Sequence, residues 1–155
     1  MKPIPDGYRS VTPYMIIKGA GEAIEFYKKA FKAKERLRVP GPGGKIMHAE
    51  IEIGDSVVML GEESPEMGAL GPTSVGGTPV SIHLYIDDVD QMFAQALAAG
   101  GKQERAVQDQ FYGDRSGGLV DPFGHKWHLA THVEDVSPEE MDRRMKEMMK
   151  GGAKC

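Results

Sequence analysis

The sequence predicts an α+β fold built from two βαβββ modules in succession, with a further helix at the C-terminal end. The first observation behind this prediction is that an order of strand, helix and three strands occurs twice among the hydrophobic patterns. The second is that the two halves align at a shift of 69 residues, which places Ile17 on Ile86 and residues 57–60 on residues 126–129. Modules of this size are too small for separate robust cores, so we expect one domain over residues 1–155.

Module one is expected over about residues 11–61, after an irregular lead-in. Its first strand is predicted at residues 11–17, where β-forming residues dominate and Pro13 favours an edge position or a strand start. Apolar residues at spacings of three and four then predict a helix over Ala20–Phe31. Turn-forming residues separate three more strand-like runs, at residues 34–39, 46–53 and 57–60.

Module two is expected over about residues 79–134, after a linker at residues 62–78. The linker is rich in Gly, Pro and Ser and has no hydrophobic period, which predicts a long loop. The module then repeats the earlier order, with a helix over Val89–Ala99 that is ended by Gly100. Its strands are predicted at residues 79–86, 102–107, 116–120 and 126–131.

The last helix is predicted over about residues 138–150, because Ser137 is a favourable N-cap, Pro138 suits the first helical position and Glu140 completes a capping box. Four methionines share one face of it: Met141, Met145, Met148 and Met149. We expect this stripe to be buried on the chain's own sheets or on a partner subunit. An interaction protein that uses the stripe is a further class of function.

Composition and charge exclude several classes of function. The formal net charge is −4, and a nucleic-acid or anionic-membrane surface needs a clustered basic patch that this chain lacks. No apolar run approaches the ~20 residues that span a bilayer, and the N-terminal residues do not resemble a secretory signal. The single cysteine, Cys155, excludes an intramolecular disulfide and a metal site of cysteines alone. We therefore expect a cytoplasmic protein.

Several motifs follow one another in a specific order: AIEFY from Ala23, HAE from His48, IGD from Ile53, HLYIDDVD from His83, GDR from Gly113 and VDPFGHKW from Val120. Together they resemble the vicinal oxygen chelate superfamily, also called the glyoxalase/bleomycin resistance/dioxygenase fold, and most of all its PhnB-like branch. The resemblance covers about residues 11–134. It implies that the two modules form a curled mixed sheet around a cavity and that the protein is a homodimer.

Metal-dependent members of this superfamily bind a divalent ion through four His or Glu residues that face the cavity. Carried over to this sequence, those positions are Thr12, Met59, Ser81 and His128, of which His128 alone is a strong ligand. The resemblance therefore implies that the inherited metal site is lost and that no cofactor is bound. The alternative is one divalent metal ion at a displaced site, in which His83 and His128 are joined by Glu50, or by His48.

The expected ligand cavity is lined by eight residues: Thr12, Tyr14, Met59, Ser81, His83, Tyr85, Arg115 and His128. Arg115 is either a clamp for an anionic ligand or one half of a surface pair with Asp114. Trp127 is adjacent to His128 in a strand, so we expect it on the opposite face, against a helix or a partner subunit.

The function that the resemblance implies is binding of a small molecule, without a catalytic metal or catalytic residues, near the interface of a homodimer. The acidic net charge favours a neutral or cationic ligand. The alternative is a metal-dependent lyase, isomerase or dioxygenase of the same superfamily that uses His83 and His128. Whether any reaction is catalysed stays open at this point.

Overall fold

The computed structural model describes residues 1–151, so Cys155 lies outside the described residues. It confirms the predicted α+β class and contains two four-stranded mixed sheets with helices packed on them. Both sheets are curled and neither closes into a barrel. None of the helices in residues 1–151 is long and apolar enough to cross a membrane.

The strands of sheet one are arranged in the order β1-β4-β3-β2, and helix α1 follows β1. The bounds are β1 Tyr14–Ile17, α1 Ala20–Phe31, β2 Lys34–Pro40, β3 Ile46–Ile53 and β4 Ser56–Glu62. Strand β1 is parallel to β4, whereas the β2–β3 and β3–β4 pairs are antiparallel.

Sheet two has the equivalent order β5-β8-β7-β6. The bounds after β4 are α2 Pro72–Val75, β5 Ser81–Tyr85, α3 Val89–Ala99, β6 Lys102–Asp109, β7 Asp114–Val120, β8 Lys126–His132 and α4 Pro138–Lys150. Tyr14 pairs with Met59 in sheet one, and His83 pairs with His128 in sheet two. These two pairs are related by the 69-residue shift, so the structure supports the internal repeat that the sequence predicts.

The predicted strands differ from the observed ones by a few residues at several ends, and two differences have a clear physical reason. Strand β1 begins at Tyr14 rather than at residue 11. Pro13 has no N–H to donate, so only its carbonyl takes part in the pairing with β4, where it accepts a hydrogen bond from the Met59 N–H. The linker is not a structureless loop, since a 3₁₀ turn at Pro65–Met67 and helix α2 each begin with a proline.

One hydrophobic core joins the two modules, and helix α1 lies inside it. Helix α1 packs on sheet one and also on helix α3. Trp127 of β8 is only 1% exposed, and its ring centre lies 4.5 Å from that of Phe31 and 5.3 Å from that of Tyr27. Trp127 is therefore buried within its own chain and is not available to contact a partner subunit.

The buried carboxylate of Asp121 connects α1 to sheet two. It accepts hydrogen bonds from the Tyr27 hydroxyl at 2.5 Å and from the Trp127 Nε1–H at 2.9 Å. It also accepts from the backbone N–H groups of Phe123 and His125, so the turn between β7 and β8 is fixed by the same side chain. Burial, together with Asp121, raises the pKa of Tyr27, which keeps its hydroxyl protonated as a donor.

Helix α4 differs from the prediction, because none of its residues is buried. Met145 and Met149 are exposed, so the methionine stripe does not pack in the core of this chain. The Ser137 hydroxyl caps the helix, but the Glu140 carboxylate bonds to Arg143 and Arg144 instead of completing the capping box. An ion pair between Arg144 and Glu134 anchors the helix to the end of module two.

Replacing Tyr27 by Phe removes one donor from Asp121 and leaves a buried acceptor without that partner. We expect the free energy of unfolding to fall by about 1–3 kcal/mol. Urea denaturation measures this change, and Tyr112→Phe, at an exposed tyrosine of module two, serves as the matched control. Equal stability of the two variants would show that Asp121 does not need this bond.

Candidate functional site

Each sheet has an outer face that points away from the core. In β5 and β8, Ile82, Leu84, Trp127 and Leu129 pack in or against the core, and the residues between them point to the opposite side. We call this side the outer face of sheet two; it carries Ser81, His83, Tyr85, Lys126 and His128. The outer face of sheet one is the equivalent surface and carries Tyr14, His48, Glu50, Met59 and Gly61.

His83 and His128 lie side by side on the outer face of sheet two. They are direct partners in the β5–β8 pair, and their ring centres are 6.2 Å apart. The ring of Tyr85 lies 4.9 Å from that of His83. Burial, and the nearby His83, Arg105 and Lys126, lower the pKa of His128, so its imidazole is neutral at pH 7. Together the three rings form an aromatic surface that is open to solvent, with Lys126 on the same face.

A buried carboxylate fixes the orientation of Tyr85. The Tyr85 hydroxyl donates to Asp114 Oδ2 at 2.6 Å, and His132 Nδ1 lies 2.8 Å from Asp114 Oδ1. Burial alone raises the pKa of Asp114, but the bonds from Tyr85 and His132 lower it further than burial raises it. Asp114 is thus an ionised positioning group that the sequence did not single out. Its place in β7, opposite His132, is what brings it to this face.

Arg115 does not belong to this site, so its prediction as a cavity residue is corrected. It follows Asp114 in strand β7 and therefore points to the other side of the sheet. Its guanidinium bonds to Asp90 at 2.8 and 3.0 Å and to Asp109 at 3.2 Å. The alternative surface pair with Asp114 does not form either, because Asp114 is buried on the opposite face.

The outer face of sheet one carries a chain of hydrogen bonds. The Tyr14 hydroxyl lies 3.0 Å from His48 Nδ1, and His48 Nε2 lies 2.9 Å from Glu50 Oε2. Tyr8, from the segment before β1, donates to the other oxygen of Glu50. The sequence indicated only that His48 and Glu50 alternate on a strand; nothing in it linked them to Tyr8 or Tyr14.

The predicted lining residues do not enclose one cavity within a single chain. Thr12 and His83 line a cavity of about 250 Å³ between the modules. Thr12 and Met59 also line an open cavity of about 520 Å³ beside the N-terminal segment. Tyr85 borders a separate groove of about 480 Å³, and Tyr14 opens on another cavity of about 720 Å³.

The residues of one chain do not fit a divalent metal ion. Thr12, Met59 and Ser81 supply no strong ligand beside His128. The displaced site fails for another reason: Glu50 is bound to His48 and Tyr8 on sheet one, away from the histidine pair on sheet two. Residues 1–151 contain no group of three or more His, Cys, Asp or Glu side chains that are placed to hold an ion.

Comparison with known proteins identifies the family of this fold. The sequence pattern of the Glyoxalase/Bleomycin resistance protein/Dioxygenase superfamily matches residues 13–129. The uncharacterised protein Mb0911c of Mycobacterium bovis is 45% identical over 139 residues, which cover 88% of this chain and 91% of that protein.

Solved structures share the fold at lower identity. The protein PA1353 of Pseudomonas aeruginosa has a TM-score of 0.66 and 24% identity, over 81% of this chain and 99% of that chain. A PhnB protein of Bacillus cereus has a TM-score of 0.61 and 18% identity, over 79% of this chain and 99% of that chain. Both likenesses concern the fold alone.

The contrasting surroundings of two histidines give a test of this geometry. We expect the pKa of His128 to lie below its ordinary value, for the reasons given above, and that of His132 to lie above it, because Asp114 and Asp135 hydrogen-bond to its charged form. A pH titration of the histidine side chains by NMR measures both. Since the pKa of His132 is raised on folding, its contribution to stability is full below its unfolded pKa and is lost as the pH rises through its folded value. The reverse order of the two pKa values would contradict the placement of both side chains.

Proposed function

The chain belongs to the Glyoxalase/Bleomycin resistance protein/Dioxygenase superfamily, and from this premise we propose that it binds a small molecule without a catalytic metal. The ligand lies against the outer faces of the two sheets, near the interface between two copies of the chain. The same proposal includes membership of the PhnB-like branch of this superfamily and a cytoplasmic location. The first is supported by the GDR and VDPFGHKW motifs and by the fold of the Bacillus cereus PhnB protein.

The observation that carries the proposal is the exposed aromatic surface of sheet two. Tyr85 is 60% exposed although Asp114 holds its hydroxyl in place, and the His83 and His128 rings lie beside it. An oriented aromatic surface favours contact with another molecule, because its rings have already lost the freedom that binding would remove. The net charge of −4 favours a neutral or cationic ligand.

The homodimer is proposed because the predicted lining residues lie on open surfaces of a single chain. Thr12, Tyr14 and Met59 are on or beside sheet one, whereas Ser81, His83 and His128 are on sheet two. A second copy that covers these outer faces would convert them into closed clefts. Pockets that bind small molecules are concave and bury most of the ligand surface, which neither outer face achieves alone.

Light scattering tests the assembly. We expect a mass of twice 16.9 kDa at micromolar concentration. A mass of one chain would contradict a binding site that is formed with a second copy of the chain.

Protein-observed NMR with a library of small aromatic and cationic fragments tests the binding surface. We expect bound fragments to shift the side-chain signals of His83 and His128, and we expect His83→Ala alone or His128→Ala alone to weaken the shift of the histidine that remains. His125 is the internal control, since its Nε2 bonds to the Ile16 carbonyl at 2.9 Å between the modules. Fragments that shift His125 but neither His83 nor His128 would place binding elsewhere.

Elemental analysis of protein purified without chelator separates this proposal from the metal-dependent alternative. We expect no transition metal near one equivalent per chain. A stoichiometric metal that disappears in the His83→Ala, His128→Ala double variant would overturn the proposal and favour a metal-dependent lyase, isomerase or dioxygenase.

A further inference from the structure

The hydrogen-bonded chain on the outer face of sheet one has the order of a proton relay. Tyr14 is at its exposed end, His48 is in the middle and the buried carboxylate of Glu50 is at its inner end. This is the arrangement of a hydroxyl, a base and an orienting acid, in which each group sets the protonation of the next. The chain on sheet two has a different order, because Tyr85 donates directly to the carboxylate of Asp114 and His132 bonds to the other oxygen of that carboxylate.

Glu50 is an ionised acceptor despite being only 5% exposed. Burial raises its pKa, but hydrogen bonds from His48 and Tyr8 lower it by more, and Arg36 of β2 adds a favourable charge. A carboxylate can only accept, so the Nε2 atom of His48 carries the proton of that bond. In the neutral imidazole the lone pair is then on Nδ1, and the Tyr14 hydroxyl donates to it. The hydroxyl proton of Tyr14 is therefore directed into the protein, and the remaining lone pairs of its oxygen face outward.

The contact between Tyr14 and His48 requires a gap in the strand between them. Tyr14 is on β1 and His48 on β3, and β4 separates these strands in the sheet. Gly61 of β4 supplies the gap: a Cβ atom there would lie 3.0 Å from the Tyr14 hydroxyl oxygen and 2.6 Å from the Met47 carbonyl oxygen. Any other residue at this position would push the tyrosine away from the histidine.

Tyr14 opens on a cavity of about 720 Å³ at the end of sheet one. Apolar side chains supply much of its wall, including Ile16, Ile46, Met47 and Met67. Its charged lining residues are Lys45 and three glutamates, Glu62, Glu63 and Glu66. The Gly71 N–H and the Ser74 hydroxyl lower the pKa of Glu63 and fix its carboxylate. The cavity on which Tyr14 opens thus combines apolar walls with an excess of negative charge.

We propose that Tyr14 is a proton-accepting residue of this cavity, positioned by His48 and Glu50, and that its ligand is a largely apolar small molecule with a protonated amine. This proposal rests on the proposed small-molecule binding and specifies its chemistry at sheet one. The ammonium donates one N–H to the Tyr14 oxygen. When its proton moves to that oxygen, the original hydroxyl proton moves to His48 Nδ1, so the ligand becomes a neutral amine and the new imidazolium is paired with Glu50.

A set of three sulfonyl fluorides of different charge tests the proposal on the full chain. Aminoethylbenzenesulfonyl fluoride is cationic, benzenesulfonyl fluoride is neutral and fluorosulfonylbenzoate is anionic. Each forms a bond from sulfur to a tyrosine oxygen while the S–F bond breaks and fluoride leaves; the phenolic proton goes to a base, which for Tyr14 is His48. The rate of modification therefore reports both activation of the oxygen and access of each charge type.

Tyr112 provides an internal reference, since it is 37% exposed and Tyr14 is 48% exposed. Trypsin releases them in separate peptides, residues 10–18 and 106–115, each of which contains one tyrosine. Mass spectrometry then gives the ratio of the two rates for each reagent. We expect Tyr14 to react at least about tenfold faster than Tyr112, which is a small part of the rate acceleration that a positioned base gives in enzymes. We expect the ratio to be largest for the cationic reagent.

Substitutions separate the relay from simple exposure. His48→Gln should reduce the ratio to about that of two ordinary tyrosines, and Glu50→Gln should reduce it in the same direction. Glu35→Gln, at a carboxylate of sheet one that bonds to Arg38 and Lys28 and not to His48, is the matched control and should leave the ratio unchanged. Melting temperatures and the Tyr112 rate verify that each variant is folded, and Tyr14→Phe verifies the assignment.

Each outcome decides a defined part of the proposal. The relay is overturned if the ratio of the Tyr14 rate to the Tyr112 rate is near one in the original sequence. It is also overturned if a high ratio remains in the folded His48→Gln variant. A high ratio that is equal for the three charges, or largest for the anion, overturns the cationic ligand. The proposed function fails independently, through the NMR shifts at His83 and His128, so the two failures are distinguishable.

Discussion

The arrangement of the two modules depends on the buried carboxylate of Asp121. It accepts from Tyr27 of the first helix, from Trp127 of the last strand and from two backbone groups of the turn that contains it. A buried charge is tolerated only when its hydrogen bonds are made, and these donors come from both modules. Satisfying this one group fixes how Tyr27 of α1 lies relative to Trp127 and to the turn between β7 and β8.

Much of the fold could be predicted from the sequence because hydrophobic periodicity reports local structure directly. The bounds of Ala20–Phe31 and Val89–Ala99 agree with the structure, and each helix has apolar residues at helical spacing and glycine or a capping residue near an end. The bounds of strands were less accurate, since pairing depends on the neighbouring strand. Residues 62–78 were wrongly predicted to be a loop without secondary structure, because prolines that interrupt a periodic pattern also initiate short helical turns.

The candidate site was predicted only in part, and the reason is geometric. Strand alternation correctly placed His83 and His128 side by side and Trp127 on the reverse face. The same rule could not be applied to Asp114 and Arg115, because the predicted strand began at residue 116, whereas the strand in the structure begins at Asp114. The bonds between Tyr14, His48, Glu50 and Tyr8 could not have been foreseen, because they join three segments whose proximity follows from the order of strands in the sheet.

The equivalence of the Tyr14–Met59 and His83–His128 pairs has a consequence for how such a protein changes over time. These four residues occupy matching places in two modules of the same topology, yet none of them belongs to the hydrophobic core cluster. Their side chains can therefore be exchanged without disturbing the packing that holds the units together. A duplicated scaffold of this kind has two surfaces that are free to diverge separately, and one of them can acquire new chemistry while the other retains the old.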